Sequence, residues 1–403
     1  MKLKPITLLI PFTIITLSAC NSGNNGSMPS LQSKNITNKA IEKQSYQLII
    51  DAGSSGSRVY VYSKQESSSI PMLNDLYEKK TSLPLASFAN NPRNAGSSIE
   101  PLLESAIAYL NTHDTNLDLS SISTNILGTA GMRVIPESQQ SEIYKNVSET
   151  ILNKGLKLGQ TKTITGQEEG IYSWVDINYL NNNFNKSATS GIFEVGGAST
   201  QVAFATSQAL SESVIEVRIK NQKYNVFSTS FLGLGQDYAR GLMNQDAEHN
   251  QCYPSGYTFT GINAPYFFDD LSIDGSFSLN SCSQSYDKII NSSSNMNKIN
   301  EVTDFYDNKF IGVSSAYYAL NFWNIENNPS ELTSNIEKTC NQSYSQMKLD
   351  HPNAFELQNQ CANSVLINNM MFKNLKFEPN QIYATKSINE TPLSWTLGFA
   401  VIN

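Results

Sequence analysis

Apolar and polar positions follow the same order twice along this chain. Leu48-Ile49-Ile50 runs into Asp51, then Ala52-Gly53-Ser54-Ser55-Gly56-Ser57-Arg58, then the alternating run Val59-Tyr60-Val61-Tyr62. Far downstream, Ile192-Phe193 runs into Glu194, then Val195-Gly196-Gly197-Ala198-Ser199-Thr200-Gln201, then Val202-Ala203-Phe204. Each copy reads as a hairpin, over 46–62 and 191–206, with an acid at its mouth and small residues at its tip. Two copies of one pattern imply an internal duplication. Turn amides form anion-binding nests, so two such tips facing each other would grip a polyphosphate and a metal from both sides. The alternative is a pair of ordinary tight hairpins, which also favour Gly and Ser.

The remaining periodicities fill in an α/β chain. A helix is predicted over 99–113, with Leu102, Leu103, Ala106, Ile107 and Leu110 on one face. A buried strand at 124–131 ends in a Gly-rich turn, and a helix from 137 carries Ile143, Val147 and Ile151. A short strand at 161–165 precedes a helix at 167–180, whose start holds Glu168 and Glu169. A strand pair at 214–220 and 224–231 flanks Asn221, and a helix follows over 233–243. The stretch 246–308, rich in Tyr, Asn, Ser and Asp, reads as irregular and disulfide-stapled. Helices are predicted near 313–324, 330–346 and 355–374, and 394–401 as a strand or helix that docks back.

Composition narrows the class. The chain has 403 residues, 39% hydrophobic, with a formal net charge of −7. That length accommodates two domains with sizeable cores, and no basic surface advertises a nucleic-acid partner. The N-terminus reads as a targeting segment. Lys2 and Lys4 precede the apolar run Leu8–Ala19, which is too short to span a bilayer as a mature helix. Leu17-Ser18-Ala19-Cys20 resembles a bacterial lipoprotein processing site, which would leave a lipid on Cys20; an ordinary secretory signal is the alternative. Residues 20–45, rich in Ser and Asn, read as a flexible tether. Without Cys20, four cysteines remain, at 252, 282, 340 and 361. An even number in an exported chain indicates disulfides, and four cysteines allow three connectivities. Sequence-neighbour pairing, Cys252–Cys282 and Cys340–Cys361, closes the shortest loops. No C-x-x-C pair and only three His argue against structural zinc.

Four blocks occur in order: DAGSSGSR (51–58), GTAGMR (128–133), GQEEGIYSWVDINYL (166–180) and EVGGASTQVAF (194–204). A looser fifth, FIGVSSAYYALNFW (310–323), and a closing SWTLGFAVI (394–402) follow, with Cys252-Tyr253-Pro254-Ser255-Gly256-Tyr257 between. This ordered set resembles the conserved regions of the nucleoside triphosphate diphosphohydrolases, the apyrases. The resemblance implies two actin-like, ribonuclease H-like domains with the active site in the interdomain cleft. Here they would be residues 46–165 with 386–403, and 166–385, after a signal peptide at 1–19. It implies hydrolysis of nucleoside tri- and diphosphates to monophosphates with Mg²⁺ or Ca²⁺, by water attack and without a phosphoenzyme.

Carried onto this sequence, the resemblance makes Glu169 the general base, with Ser199 and Gln201 holding the attacking water. The residues alone do not choose between Glu168 and Glu169, since either suits the first turn of a helix. Gly196, Gly197 and Ala198 would bring amides to the terminal phosphate from one side, and Ser54, Ser55 and Gly56 from the other. Arg58, Arg133 and Thr129 would contact phosphate. Asp51 and Glu194 would hold the metal through its waters. Glu194 departs from the commoner Asp, and Gly56 stands where many animal members carry His. Tyr318, Tyr317 and Arg240 would stack the base. The nearest alternatives are an exopolyphosphatase of the same superfold and a non-hydrolysing nucleotide-binding lipoprotein. No P-loop and no G-x-S-x-G elbow is present. A monomer is expected, exported across the inner membrane and then lipid-anchored at the cell envelope or secreted, with membrane contact only through the lipid.

Overall fold

The computed structural model describes residues 45–65, 72–114, 116–186, 188–219, 221–262, 270–293 and 295–403. The expected signal peptide, the tether and Cys20 lie outside them. No helix of the described residues is long and apolar enough to cross a membrane.

The chain opens with strands β1 (Ser45–Gly53), β2 (Gly56–Gln65) and β3 (Met72–Thr81). Helix α1 (Ala95–His113), strand β4 (Ser123–Gly128), the short α2 (Ala130–Arg133), α3 (Glu137–Asn153) and β5 (Lys157–Thr163) complete the first layer. Helix α4 (Gly166–Leu180) leads to β6 (Gly191–Val195), β7 (Ser199–Ala205), β8 (Val214–Ile219) and β9 (Gln222–Leu232). Then come α5 (Gln236–Met243), the hairpin β10 (Thr258–Ile262) and β11 (Asp270–Asp274), and α6 (Leu279–Asn291). Strand β12 (Phe310–Ser314) runs into α7 (Ser315–Phe322), followed by α8 (Leu332–Cys340), α9 (Tyr344–Asp350) and α10 (Gln360–Asn368). The chain closes with β13 (Ile382–Ala384), the small pair β14 (Ser387–Ile388) and β15 (Thr391–Pro392), and α11 (Trp395–Ile402).

The duplication read from the sequence is a duplication of topology. The first sheet has the order β3-β2-β1-β4-β5 and the second β13-β12-β6-β7-β9-β8. In each, an acid-bearing hairpin has an antiparallel strand on one side and two parallel strands on the other. Strand β8 is an extra edge on the second sheet. Leu48, Ile49 and Ile50 are all buried, as befits a strand covered on both faces.

Helices α1 and α3 cover one face of the first sheet through Ile99, Leu103, Ile143 and Val147. Helices α5 to α8 and α10 cover one face of the second. Helices α4 and α11 share a core with both sheets, in which Trp174 and Phe399 meet Ile49 and Tyr62 on one side and Ile192, Ala203 and Ile311 on the other. Gly398 sets their approach: a Cβ there would lie 1.8 Å from the Tyr172 carbonyl oxygen. Two polar contacts fix the register of α11. The Tyr62 hydroxyl bonds the Thr396 hydroxyl at 2.8 Å, and Asp176 accepts from the Ser394 amide at 2.9 Å.

Four stretches differ from the sequence reading. The single helix expected near 330–346 is two, α8 and α9, the second capped by Ser343. Residues 246–308 contain the 13-residue α6, whose Cys282, Tyr286 and Ile290 form a buried stripe at helical spacing. Residues 310–314, expected next to a helix at 313–324, form β12, between β13 and β6 in the second sheet. Strand β3 was not foreseen, because only Leu73 is buried along this edge strand and its alternation is weak. The structure pairs Cys252 with Cys282 and Cys340 with Cys361, all four fully buried.

Candidate active site

The two acid hairpins meet tip to tip. A Cβ on Gly197 would lie 2.4 Å from Ser54 Oγ of the other hairpin, so the second tip needs glycine there. Its carbonyls are turned away: those of Gly196 and Gly197 accept from the amides of Gln236, Asp237 and Tyr238, and that of Ala198 from Gly233. The amides of Gly197 and Ala198 make no hydrogen bond among the described residues, nor do those of Ser54, Ser55, Ala130 and Gly131. Unspent donors at facing turns make an anion nest. Gly56 plays a different part from the one expected. Its φ is +143° and a Cβ would lie 2.1 Å from the Thr81 carbonyl, so it lets β3 pack against the tip and does not line the cavity.

A cavity of about 650 Å³ opens over these tips. Of the expected site residues, Asp51, Ser54, Ser55, Arg58, Thr129, Glu169, Glu194, Gly196, Gly197, Ala198, Ser199 and Tyr318 line it. Gly56, Arg133, Gln201, Tyr317 and Arg240 do not.

Helix α4 separates its two adjacent acids. Thr165 caps the helix, accepting from the Glu168 amide at 3.1 Å, while Glu168 accepts from the Thr165 amide at 2.7 Å, a reciprocal capping box. Lys162 pairs with Glu168 at 2.8 Å. Glu169, about 100° further round the helix, turns inward. Its Oε2 accepts from the Arg133 guanidinium and from Gln201 Nε2, the latter at 3.1 Å. The fully buried Gln201 amide also donates to Ser199 Oγ at 2.6 Å and Ser230 Oγ at 3.1 Å. Gln201 thus stands behind the cavity wall and ties Glu169 to Ser199. Arg133 lines a smaller neighbouring cavity of about 250 Å³ together with Ser230 and Lys298, and its partner is the Glu169 carboxylate.

Glu194 is held by two serines that the sequence did not single out. Ser173 Oγ donates to its Oε2 and Ser314 Oγ to its Oε1, the second at 3.2 Å. Ser314 has φ 57° and ψ −127°, a conformation rare for a non-glycine residue, at the junction of β12 and α7. Burial pushes the Glu194 carboxyl up to about 7, with the nearby Glu169 adding to the rise. Asp51 is likewise pushed up to about 7 by burial, against the pull of Arg58. Glu169 is raised by burial and drawn back by Arg133. Asp51 Oδ1 is buried without a hydrogen-bond partner. Carboxylates gathered at this cost, one with an orphaned oxygen, fit a divalent cation. No group of three His, Cys, Asp or Glu among the described residues is arranged to hold a metal directly, so Asp51 and Glu194 would do so through bound water.

The base-stacking expectation needs correcting in part. Tyr318 is exposed at the cavity, and Tyr317 packs partly buried against the core. Arg240 sits on the inner face of α5, bound to Asp237 at 2.9 Å and Asn363 at 2.8 Å, and offers no open face. The sequence missed Phe355, which is 81% exposed and lines the same cavity as Tyr318. Its place at the start of the helix expected near 355–374 hid it, since that helix begins only at Gln360. Lys80, Asp176, Asp237 and Trp395 also line the cavity.

Two sheets of the same topology, each carrying an acid-tipped hairpin, define an actin-like, two-domain α/β protein. The nucleoside triphosphate hydrolase from Neospora caninum shares this architecture, with a TM-score of 0.62 at 16% identity over 88% of this chain and 92% of that one. So does a Ppx/GppA family member from Aquifex aeolicus, with a TM-score of 0.55 at 10% identity over 89% and 97%. The chain belongs to the GDA1/CD39 (nucleoside phosphatase) family, whose description matches residues 37–403. It is 26% identical to probable apyrase 3 of Arabidopsis thaliana, over 90% of this chain and 83% of that protein. It is 25% identical to ectonucleoside triphosphate diphosphohydrolase 2 of Gallus gallus, over 88% and 82%. The chain is therefore a nucleoside-phosphate hydrolase.

Proposed function

We propose that this enzyme is an apyrase, cleaving nucleoside tri- and diphosphates to monophosphates by attack of a water activated by Glu169. The observation that carries the reading is the linked set Glu169–Gln201–Ser199, set beside unspent amides at two facing tips. In this reading the terminal phosphate lies between the amides of Gly197 and Ala198 and those of Ser54 and Ser55. Ser199 orients a water, Gln201 holds Ser199 and Glu169 in place from behind the wall, and Glu169 takes the water's proton as its oxygen bonds to phosphorus. The anhydride P–O bond breaks on the opposite side, and the shortened nucleotide leaves. Arg133 keeps Glu169 ionised and aimed. Mg²⁺ or Ca²⁺, held through water by Asp51 and Glu194, would neutralise charge on the phosphate oxygens. Tyr318 would stack the base, which tolerates any base.

The lobe boundaries near 165 and 386, export, and lipid attachment at Cys20 are part of the same proposal, and detergent partition of wild type against Cys20→Ser tests the anchor. The activity is tested by phosphate release from ATP, ADP, UTP, AMP and inorganic polyphosphate, with Mg²⁺, Ca²⁺ or EDTA. The proposal expects metal-dependent release from tri- and diphosphates and none from AMP. Full activity in EDTA, or a preference for polyphosphate, would overturn it.

A further inference from the structure

Asp51, Arg58 and Lys80 form one row across three strands. Asp51 is register partner of Arg58, and Arg58 of Lys80. Directly opposed residues in antiparallel strands project from the same face, and all three line the cavity. The row reads acid, cation, cation, and spans about 10 Å at the usual strand spacing. Like charges directly opposed destabilise a sheet. The acids facing this pair are Asp51 in the row, Glu78 two residues along β3, and Asp237 from the start of α5. Asp237 is engaged with Arg240, and neither Arg58 nor Lys80 forms an ion pair among the described residues. Burial and the neighbouring Arg58 hold the Lys80 ammonium below its ordinary value.

A lysine on an edge strand commonly serves to block edge-to-edge pairing. Lys80 is exposed, and what sets it apart from that role is its place on the wall of the cavity that holds the two hairpin tips. Two cations opposed on a cavity wall and beside an anion nest are arranged for a shared oxyanion, which turns their repulsion into two charge-assisted hydrogen bonds.

We infer that Lys80 and Arg58 together seat one phosphate group of the bound substrate, next to the group held beside Asp51, which makes Lys80 a specificity-determining residue of this hydrolase. The inference rests on the proposed reading of the cavity as the polyphosphate site. It has a signature that a structural lysine lacks. Removing one of two repelling cations should leave the ligand-free protein at least as stable while weakening the ligand.

The test compares full-length wild type, Lys80→Met and Lys80→Arg. Pyrophosphate with Mg²⁺ is the binding probe, read by thermal shift, and KM and kcat are measured for ATP and ADP. In Lys80→Met the ligand-free Tm holds or rises, the pyrophosphate-induced shift shrinks, and KM rises about tenfold or more with a smaller change in kcat. Lys80→Arg restores both. An undiminished pyrophosphate shift with wild-type KM in Lys80→Met overturns the inference and leaves the nucleotide reading standing. A lower ligand-free Tm, with kcat damaged as much as KM, assigns Lys80 to the fold and also overturns it. A lost pyrophosphate shift in the variant, in an enzyme that cleaves no nucleotide, upholds the seat and refutes the nucleotide reading.

Discussion

Replacing Arg133 by Met should move the pH dependence of turnover. The Arg133 and Glu169 side chains are 14% and 10% exposed, so the pair is poorly screened. Burial raises Glu169 and Arg133 counters it. An adjacent guanidinium favours the ionised carboxylate and so lowers a carboxyl, against the rise that burial causes. In Arg133→Met that opposing pull is gone, and the carboxyl rises further. A general base works only when ionised, so the acid limb of kcat/KM should move to higher pH. Below the limb, each unit costs about tenfold in rate. Well above it, the variant should regain most of its activity, apart from whatever aiming of Glu169 is lost. The assay is phosphate release against pH at saturating metal, with circular dichroism to confirm the fold. An acid limb that stays in place, or moves to lower pH, would refute the assignment of Arg133 as the partner that keeps Glu169 ionised.

Two further outcomes test the fold. Removing the buried Cys340–Cys361 bridge, which closes a sequence separation of 21, by a double Cys→Ala variant should lower stability by about 3 kcal/mol in urea titration; a loss near zero would show that the bridge adds nothing. Gly398→Ala places a methyl against the Tyr172 carbonyl and should cost about 3 kcal/mol by forcing α4 and α11 apart, whereas wild-type stability would show that the crossing has slack.

What the sequence revealed depended on how strongly each element carried its own signal. The hairpins at Asp51 and Glu194 were legible because an acid, small tip residues and alternating apolar residues coincide in a dozen positions, twice. Helix α4 was legible as an element, although it is buried all round from Glu169 to Asn178 and which of Glu168 and Glu169 turns inward depends on the cap at Thr165. Strand β3 was hidden because an edge strand with one buried residue has almost no period-2 contrast. Lys80 was hidden with it, since its role depends on cross-strand register. Strand β12 was hidden because Phe310 to Val313 is too short an apolar run to stand apart from the helical spacing that resumes after Ser314 and Ser315, and its parallel pairing with β6 and β13 is what marks it. Helix α6 did carry a signal, Cys282, Tyr286 and Ile290 at i, i+4 and i+8, beneath a surface of Ser, Asn and Gln that reads as loop. Ser173 and Ser314 are assigned only by their contact with Glu194, as two ordinary hydroxyls among many.

The central claim is that Glu169, and not its neighbour, activates the water. Measuring kcat for Glu169→Gln and Glu168→Gln with ATP and saturating Mg²⁺ tests it most directly, because each variant loses one carboxylate from adjacent positions on one helix. Glu169→Gln should lose about 10²–10⁴-fold in kcat with nucleotide affinity little changed. Glu168→Gln keeps a capping-box side chain and loses only the part-exposed pair with Lys162, so its turnover should stay close to wild type. Turnover retained in Glu169→Gln and abolished in Glu168→Gln would contradict the account.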